Sequence, residues 1–308
     1  MTYVHGKRYL TLLMLVVTGI LVSPISSHAE ITRHFSIEGF AAFLDGNPET
    51  TGLTEEGGII LAPVTRDRLV QPEVSYSAAV AHGENIVVAQ VDDGKVIAVD
   101  RAGVQKEIYK SSDSLVTSLL SHRDELYIAT GPSAKIYRVS SAGEVKLFYE
   151  AEAEHIWAMV SGPNDTILCV TGGPGQLLQI DAFGNGNVLV ETEQNHLRSI
   201  HYSTTYGVFV GGGQSGILYH GGPEDLSSLR ALYDTGQKEI TAIRVIGDHV
   251  YVAGVSGAAA LVAQQGNLNS GPKNGKGPGV QSQVARVSMD GTSQVLAGSN
   301  DEVIFGMT

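Results

Sequence analysis

Apolar residues run along the chain in short stretches of four to six, separated by turns that carry glycine or small polar residues, and the stretches recur. One kind is easy to follow: Asn85-Ile-Val-Val-Ala89, Leu126-Tyr-Ile-Ala-Thr130, Ile167-Leu-Cys-Val-Thr171, Val208-Phe-Val-Gly211 and Val250-Tyr-Val-Ala-Gly254. Their centres, Val88, Ile128, Cys169, Val210 and Val252, are 40, 41, 41 and 42 residues apart. A second run precedes this marker (115–120, 156–160, 197–201, 240–245) and a third follows it (95–100, 135–140, 176–181, 217–220). A fourth closes the unit (107–110, 146–150, 187–191, 231–234). All are rich in β-branched and aromatic residues and bounded by turn residues, as strands are. After residue 30 no stretch keeps a 3.6-residue apolar period for three turns, and only 37–44 predicts a turn or two of helix. Four short strands in every ~40 residues predict an all-β fold, a β-propeller of four-stranded blades. A parallel α/β sheet is excluded, because it needs a helix between its strands.

The turn between third and fourth strands has its own mark: Asp100-Arg-Ala-Gly103, Ser140-Ser-Ala-Gly143, Asp181-Ala-Phe-Gly184 and Ser288-Met-Asp-Gly291. Asp or Ser at the first position bonds the turn backbone, and glycine at the fourth accepts a positive φ. This accounts for much of the glycine, 37 of 308 residues against a usual ~7%. The predicted blades are 74–111, 113–151, 154–193, 195–237 and 239–300. The last is interrupted at 264–283 by a glycine-rich insertion with almost no apolar content, expected to be a passive surface loop. Residues 303–308 read as the first strand of a further blade, 58–62 as a second strand and 66–71 as a third. The count is therefore five complete repeats plus a sixth, either shared between 52–71 and 303–307 or truncated at Thr308. Residues 30–51 form an N-terminal extension before the propeller at 52–308.

The first 29 residues look like an address. Lys7 and Arg8 precede an apolar run at 10–22, and Ser27-His28-Ala29 is a small-x-small cleavage site. That run is shorter than the ~20 residues that span a bilayer. Cleavage after Ala29 is expected, with an exported product, periplasmic or extracellular, that does not insert in a membrane. The net charge of −12 falls to −14 with Lys7 and Arg8 removed. An acidic chain with no basic cluster does not suit nucleic acid. The one cysteine, Cys169, allows no intrachain disulfide and reads as a buried, inert thiol.

Four passages carry a resemblance: Gly52-Leu-Thr-Glu-Glu-Gly-Gly-Ile-Ile-Leu-Ala-Pro63, Ala134-Lys-Ile-Tyr-Arg-Val139, Leu232-Tyr-Asp-Thr-Gly236 with Glu239-Ile240, and the insertion followed by Val284-Ala-Arg-Val287. With them the chain resembles exported bacterial WD40-like and NHL-like propeller repeat proteins of unassigned function, over most of 35–308. The resemblance implies the fold and says little about activity. The Gly-His and Trp-Asp pairs of WD40 blades are missing, and Trp157 is followed by Ala158.

The glycine clusters Gly172-Gly-Pro-Gly175 and Gly211-Gly-Gly213 precede no helix, so they read as hairpin turns and not as phosphate loops. No Gly-x-Ser-x-Gly elbow is present. One constellation remains. Residues leading into the innermost strands sit near the mouth of a propeller channel, and here they are Leu115, His155, His196, Glu239 and Glu302. His155, His196, Glu239 and Glu302 form a set of imidazoles and carboxylates that could take a divalent metal, the one cofactor this set suits. Trp157, Arg198 and Thr241 lie two residues on and are expected to line the channel, Arg198 as an anion clamp. The plain alternative is a solvated polar rim with Trp157 packed between blades. The expected function is non-enzymatic capture of a protein, peptide or glycan at the channel face. The alternative is a metal-dependent hydrolase or lyase of the lactonase or streptogramin-lyase kind, with the two histidines and two glutamates as ligands or acid and base. A quinone-type cofactor is set aside because its blades carry docking tryptophans and this chain has one.

Overall fold

The computed structural model describes residues 73–257 (without 92 and 114) and 281–300, and from the flanks 51–53, 59–61, 69, 303, 304, 306 and 307. The leader, the extension, most of the 264–283 insertion and Glu302 lie outside the described residues. The chain divides into two units, 1–66 and 67–308. In the first, Thr51–Leu53 (β1) pairs antiparallel with Ile59–Leu61 (β2).

Among the described residues the second unit holds five four-stranded antiparallel sheets, and in each the strands lie side by side in sequence order. Blade one is Tyr76–His82 (β3), Asn85–Gln90 (β4), Lys95–Val99 (β5) and Gln105–Lys110 (β6); blade two is Leu115–His122 (β7), Glu125–Gly131 (β8), Lys135–Val139 (β9) and Val145–Glu150 (β10). Blade three is His155–Ser161 (β11), Ile167–Gly172 (β12), Gln176–Ile180 (β13) and Gly186–Glu191 (β14). Blade four is Leu197–Ser203 (β15), Gly207–Gly212 (β16), Ile217–Gly222 (β17) and Asp225–Asp234 (β18); blade five is Glu239–Ile246 (β19), His249–Ser256 (β20), Gln281–Ser288 (β21) and Ser293–Ser299 (β22). Innermost strands stand side by side, β3 against β7, β7 against β11, β11 against β15 and β15 against β19. The arrangement is a β-propeller.

The core lies mainly between neighbouring sheets, with a smaller cluster of Val88, Ile97 and Val99 on blade one alone. Val87, Ala89 and Val96 of blade one pack on Val116, Leu126 and Ile128 of blade two. Ile136 of blade two meets Ile156, Cys169 and Leu178 of blade three. Phe209 and Leu218 of blade four meet Ile240 and Val252 of blade five. The second strand of each blade is sandwiched on both faces, which is why the marker runs are apolar throughout rather than alternating. Cys169 is fully buried and burial pushes its thiol up to about 12, so no thiolate is present at neutral pH.

The Asp/Ser-x-x-Gly turns form as their residues require. Gly103, Gly143, Gly184 and Gly291 have φ of 84°, 81°, 89° and 87°. In the first of them Asp100 Oδ1 accepts from the amides of Ala102 and Val104, at 2.8 and 2.9 Å. Two elements differ from expectation. β18 spans ten residues, not the four at 231–234, because Leu226 and Leu229 continue its inward face between polar residues that disguise a strand. β21 begins at Gln281 rather than Val284, where Ser282 and Gln283 pair with Val255 and Gly254 of β20.

Candidate functional site

All five innermost strands carry a β-bulge at the same place. Their pairing slips between Tyr76 and Ala78, Val116 and Ser118, Ile156 and Ala158, Leu197 and Ser199, and Ile240 and Ala242. A bulge frees one residue from the ladder and re-aims it. The freed residues are Ser77, Thr117, Trp157, Arg198 and Thr241. Three are hydroxyls, and each donates to a main-chain carbonyl: Ser77 Oγ to Val116 of β7 at 2.6 Å, Thr117 Oγ1 to Ile156 of β11, and Thr241 Oγ1 to Ile304, outside any strand, at 2.6 Å. In blade four the neighbour takes the role, Ser199 Oγ donating to Ile240 at 2.7 Å. Trp157 and Arg198 are the two departures from this repeat, and they stand in adjacent blades.

Around them the polar residues of the mouth converge. The imidazole of His155, two residues earlier on β11, stacks on the indole of Trp157 with ring centroids 4.5 Å apart and planes within 5°. Arg198 reaches across from β15 with its guanidinium carbon 3.8 Å from the indole centroid, a cation–π contact. Arg198 Nε lies 3.4 Å from Glu239 Oε2 of β19. Trp157 Nε1 donates to His196 Nδ1 at 3.3 Å. Indole nitrogen is only a donor, so Nδ1 of His196 must be the bare nitrogen and Nε2 must carry the proton. Asn195 Nδ2 lies 3.1 Å from Nε2, and with the proton on Nε2 the amide must turn by 180° to present its oxygen as the acceptor.

Two glycines make room for this packing. A Cβ on Gly172, at the end of β12, would collide with His196 Nδ1 and Trp157 Nε1, and one on Gly213 would lie 2.5 Å from Arg198 Cγ. The glycine clusters are therefore the floor on which the mouth side chains lie, a role that reading them as plain turns misses. Asn195 is the other residue that sequence reasoning passed over. It sits beside His196, which was the available signal.

The electrostatics favour neutral imidazoles beside one fixed cation. Burial holds the pKa of His155 below its usual 6.5; Glu154 opposes this, and His196 and Arg198 add to it. Burial does the same to His196, reinforced by Arg198 and opposed by Glu154 and Glu239. The Arg198 guanidinium is also pulled down by burial, and the Glu239 carboxylate counters that. For the histidines the native state binds fewer protons than the unfolded chain, so stability is lost as pH falls below about 6.5 toward the lowered native value. Trp157, the sole tryptophan, reports this directly. Protonated His196 has no lone pair for the indole N–H, so a fluorescence transition with a midpoint below 6.5 is expected. It should shrink in His196→Gln and retain only the His155 component. A curve identical in His196→Gln would show that the bond does not govern the indole.

The structure thus brings His155, Trp157, His196, Arg198 and Glu239 together. Thr241 stands on the same side but its hydroxyl is used inside the ring, on Ile304 and, at 3.4 Å, on Ala253. Leu115 carries no polar group to the rim. Among the described residues no three of His, Cys, Asp and Glu converge to hold a metal ion. The donors that could do so are turned on each other, and Glu302 lies outside the described residues.

No protein-family profile matches the sequence, and no curated protein does. The fold does match solved structures. A virginiamycin B lyase from Staphylococcus aureus superposes with a TM-score of 0.57 at 10% identity, over 80% of this chain and 76% of that one. A structure titled streptogramin B lyase gives 0.56 at 11% identity, over 80% and 74%. The extracellular domain of a one-component system from B. thetaiotaomicron gives 0.56 at 13% identity, over 83% of this chain and 35% of that one. These neighbours are propeller proteins, two of them bacterial by name, and the chain shares their architecture. Among the described residues no helix is long and apolar enough to cross a membrane.

Proposed function

We propose that this chain is an exported, non-enzymatic β-propeller that captures a protein, peptide or glycan at its channel mouth. The observation that carries the reading is the break in the bulge pattern. Three positions hold small hydroxyls that tie the ring together, and two neighbours hold Trp157 and Arg198, bedded on glycine and braced by His155, His196 and Glu239. Fixed rings and a held guanidinium make a preorganised recognition surface, which lowers the ordering cost of binding. No described member of the group stands as a nucleophile with a base beside it. The leader-like start of the sequence and an extracellular-domain neighbour support export.

The lyase titles of two structural neighbours, together with two imidazoles in one mouth, favour a second reading, a metal-dependent hydrolase or lyase. The double variant His155→Ala/His196→Ala separates the two. Capture of ligand from the exported fraction is expected to weaken at least tenfold, while bound divalent metal per chain stays unchanged between native and variant protein. Metal that is stoichiometric in the native protein and lost in the variant would overturn the capture reading in favour of the second.

A further inference from the structure

At the strand ends remote from the mouth, blades two and three part to leave a cleft of about 190 Å³, lined by Arg123, Glu125, Arg138, Phe148, Asp165 and Ala182 among others. Its charges are mated. Arg123 pairs across the blades with Asp165, and Arg138 Nη1 lies 3.7 Å from Glu125 Oε2. The Arg138 guanidinium also sits 5.5 Å over the Phe148 ring. Asp181, on the same wall, is consumed by its own turn, accepting from the amides of Phe183 and Asn185 and from Asn185 Nδ2. The two arginines are thus neutralised by two carboxylates, Asp181 remains as one carboxylate held by neutral amides, and the wall keeps spare hydrogen-bonding capacity. Each arginine has five donors and uses few of them, and each paired carboxylate has a second oxygen.

Directly beside the cleft, the next residue after Ala182 is Phe183, whose side chain is 90% exposed. It is not on a loose loop. The Asp181 bonds and the positive φ of Gly184 fix the turn that presents it. The equivalent turns carry Ala102 and Ala142, so an aromatic here is specific to this blade. A large exposed aromatic on a fixed turn is a contact surface waiting for an apolar face.

We infer that the cleft with Phe183 is a second binding site, separate from the channel mouth, and that its ligand is a neutral saccharide. Sugar hydroxyls donate and accept at once, which is what a wall of mated arginine–carboxylate pairs and one amide-held carboxylate can answer with no further ion. The C–H face of a sugar ring supplies the apolar surface that Phe183 lacks. The cleft is well under the ~300–1,000 Å³ of a drug-sized pocket, so it takes one ring, and Phe183 stacks on the next. A charged peptide end would have to displace one partner of an ion pair.

Calorimetric titration of the full chain with maltose, cellobiose, lactose and triglycine tests this. At least one disaccharide should bind with one-to-one stoichiometry at millimolar affinity, and triglycine should not bind. Phe183→Ala, at an exposed position, should fold normally and weaken binding about threefold to tenfold. Arg138→Lys should weaken it similarly by losing the planar fork. Gly222→Ala, where nothing lies within 4 Å of the added carbon, should leave it unchanged, whereas loss of disaccharide binding in His196→Asn would put the sugar at the mouth and overturn the cleft. Absence of disaccharide binding up to ~10 mM, equal affinity in Phe183→Ala, or binding of triglycine at the cleft overturns the inference.

Discussion

Gly172→Ala is expected to disable the channel mouth while leaving the propeller folded. The residue is buried at the end of β12, and its φ is not in the left-handed region, so the effect is purely one of space. The added methyl lands on His196 Nδ1 and Trp157 Nε1, the two atoms of the bond that orients both rings. Neither ring can simply swing away. Trp157 is held by His155 and Arg198, and Arg198 is held by Glu239. Overpacking of this kind costs about 2 kcal/mol. For a domain of this size that corresponds to a fall in Tm of roughly 4–8 °C. Ligand capture should be lost, and the fluorescence transition between neutral and acid pH should shrink to its His155 component. Gly222→Ala is the matched control, since nothing lies within 4 Å of its added carbon, and it should change stability by less than ~0.5 kcal/mol. Equal behaviour of the two variants would mean that the mouth is soft and that its rings are not preorganised.

The uneven legibility of the fold and the mouth follows from how far each signal reaches. The marker strands show in the sequence because burial on both faces forces continuous apolar runs, as at Ile167–Val170. The third-to-fourth turns show because Asp181 and Gly184 do their work within four residues. β18 hid because Asp225, Ser227 and Ser228 face solvent and only Leu226 and Leu229 betray the strand. At the mouth, the alternate positions of His155 and Trp157, and of His196 and Arg198, were enough to put them on one side of their strands. What could not be read was the contact between blades. The service Gly172 performs for His196 spans 24 residues, and no local pattern records that a side chain from another sheet lies on it. The bulges were equally silent, because Ser77, Thr117 and Thr241 are ordinary strand residues until their hydroxyls are seen to repeat one bond. The use of Thr241 inside the ring, rather than toward the channel, follows from that bond alone.

The same bond makes the second large prediction, which concerns 303–308. Thr241 Oγ1 donates to Ile304 O as Ser77 does to Val116 and Thr117 to Ile156. By that measure Ile304 stands beside β19 where the next innermost strand belongs, although residues 303, 304, 306 and 307 carry no strand pairing among the described residues. Val303, Ile304 and Met307 are each half-buried. A half-buried side chain of this size contributes about 1 kcal/mol and the hydrogen bond about another. Deleting 303–308 should therefore lower the free energy of unfolding in urea by about 3–4 kcal/mol, read from the midpoint at unchanged slope. Thr241→Val in the full chain should cost about 1 kcal/mol, because it leaves the Ile304 carbonyl without its donor. Thr241→Val added to the deletion should cost almost nothing further, since the partner is already gone, and that non-additivity is the signature of a shared contact. A deletion that unfolds at the native midpoint would mean the segment adds nothing to the stability of the five described blades.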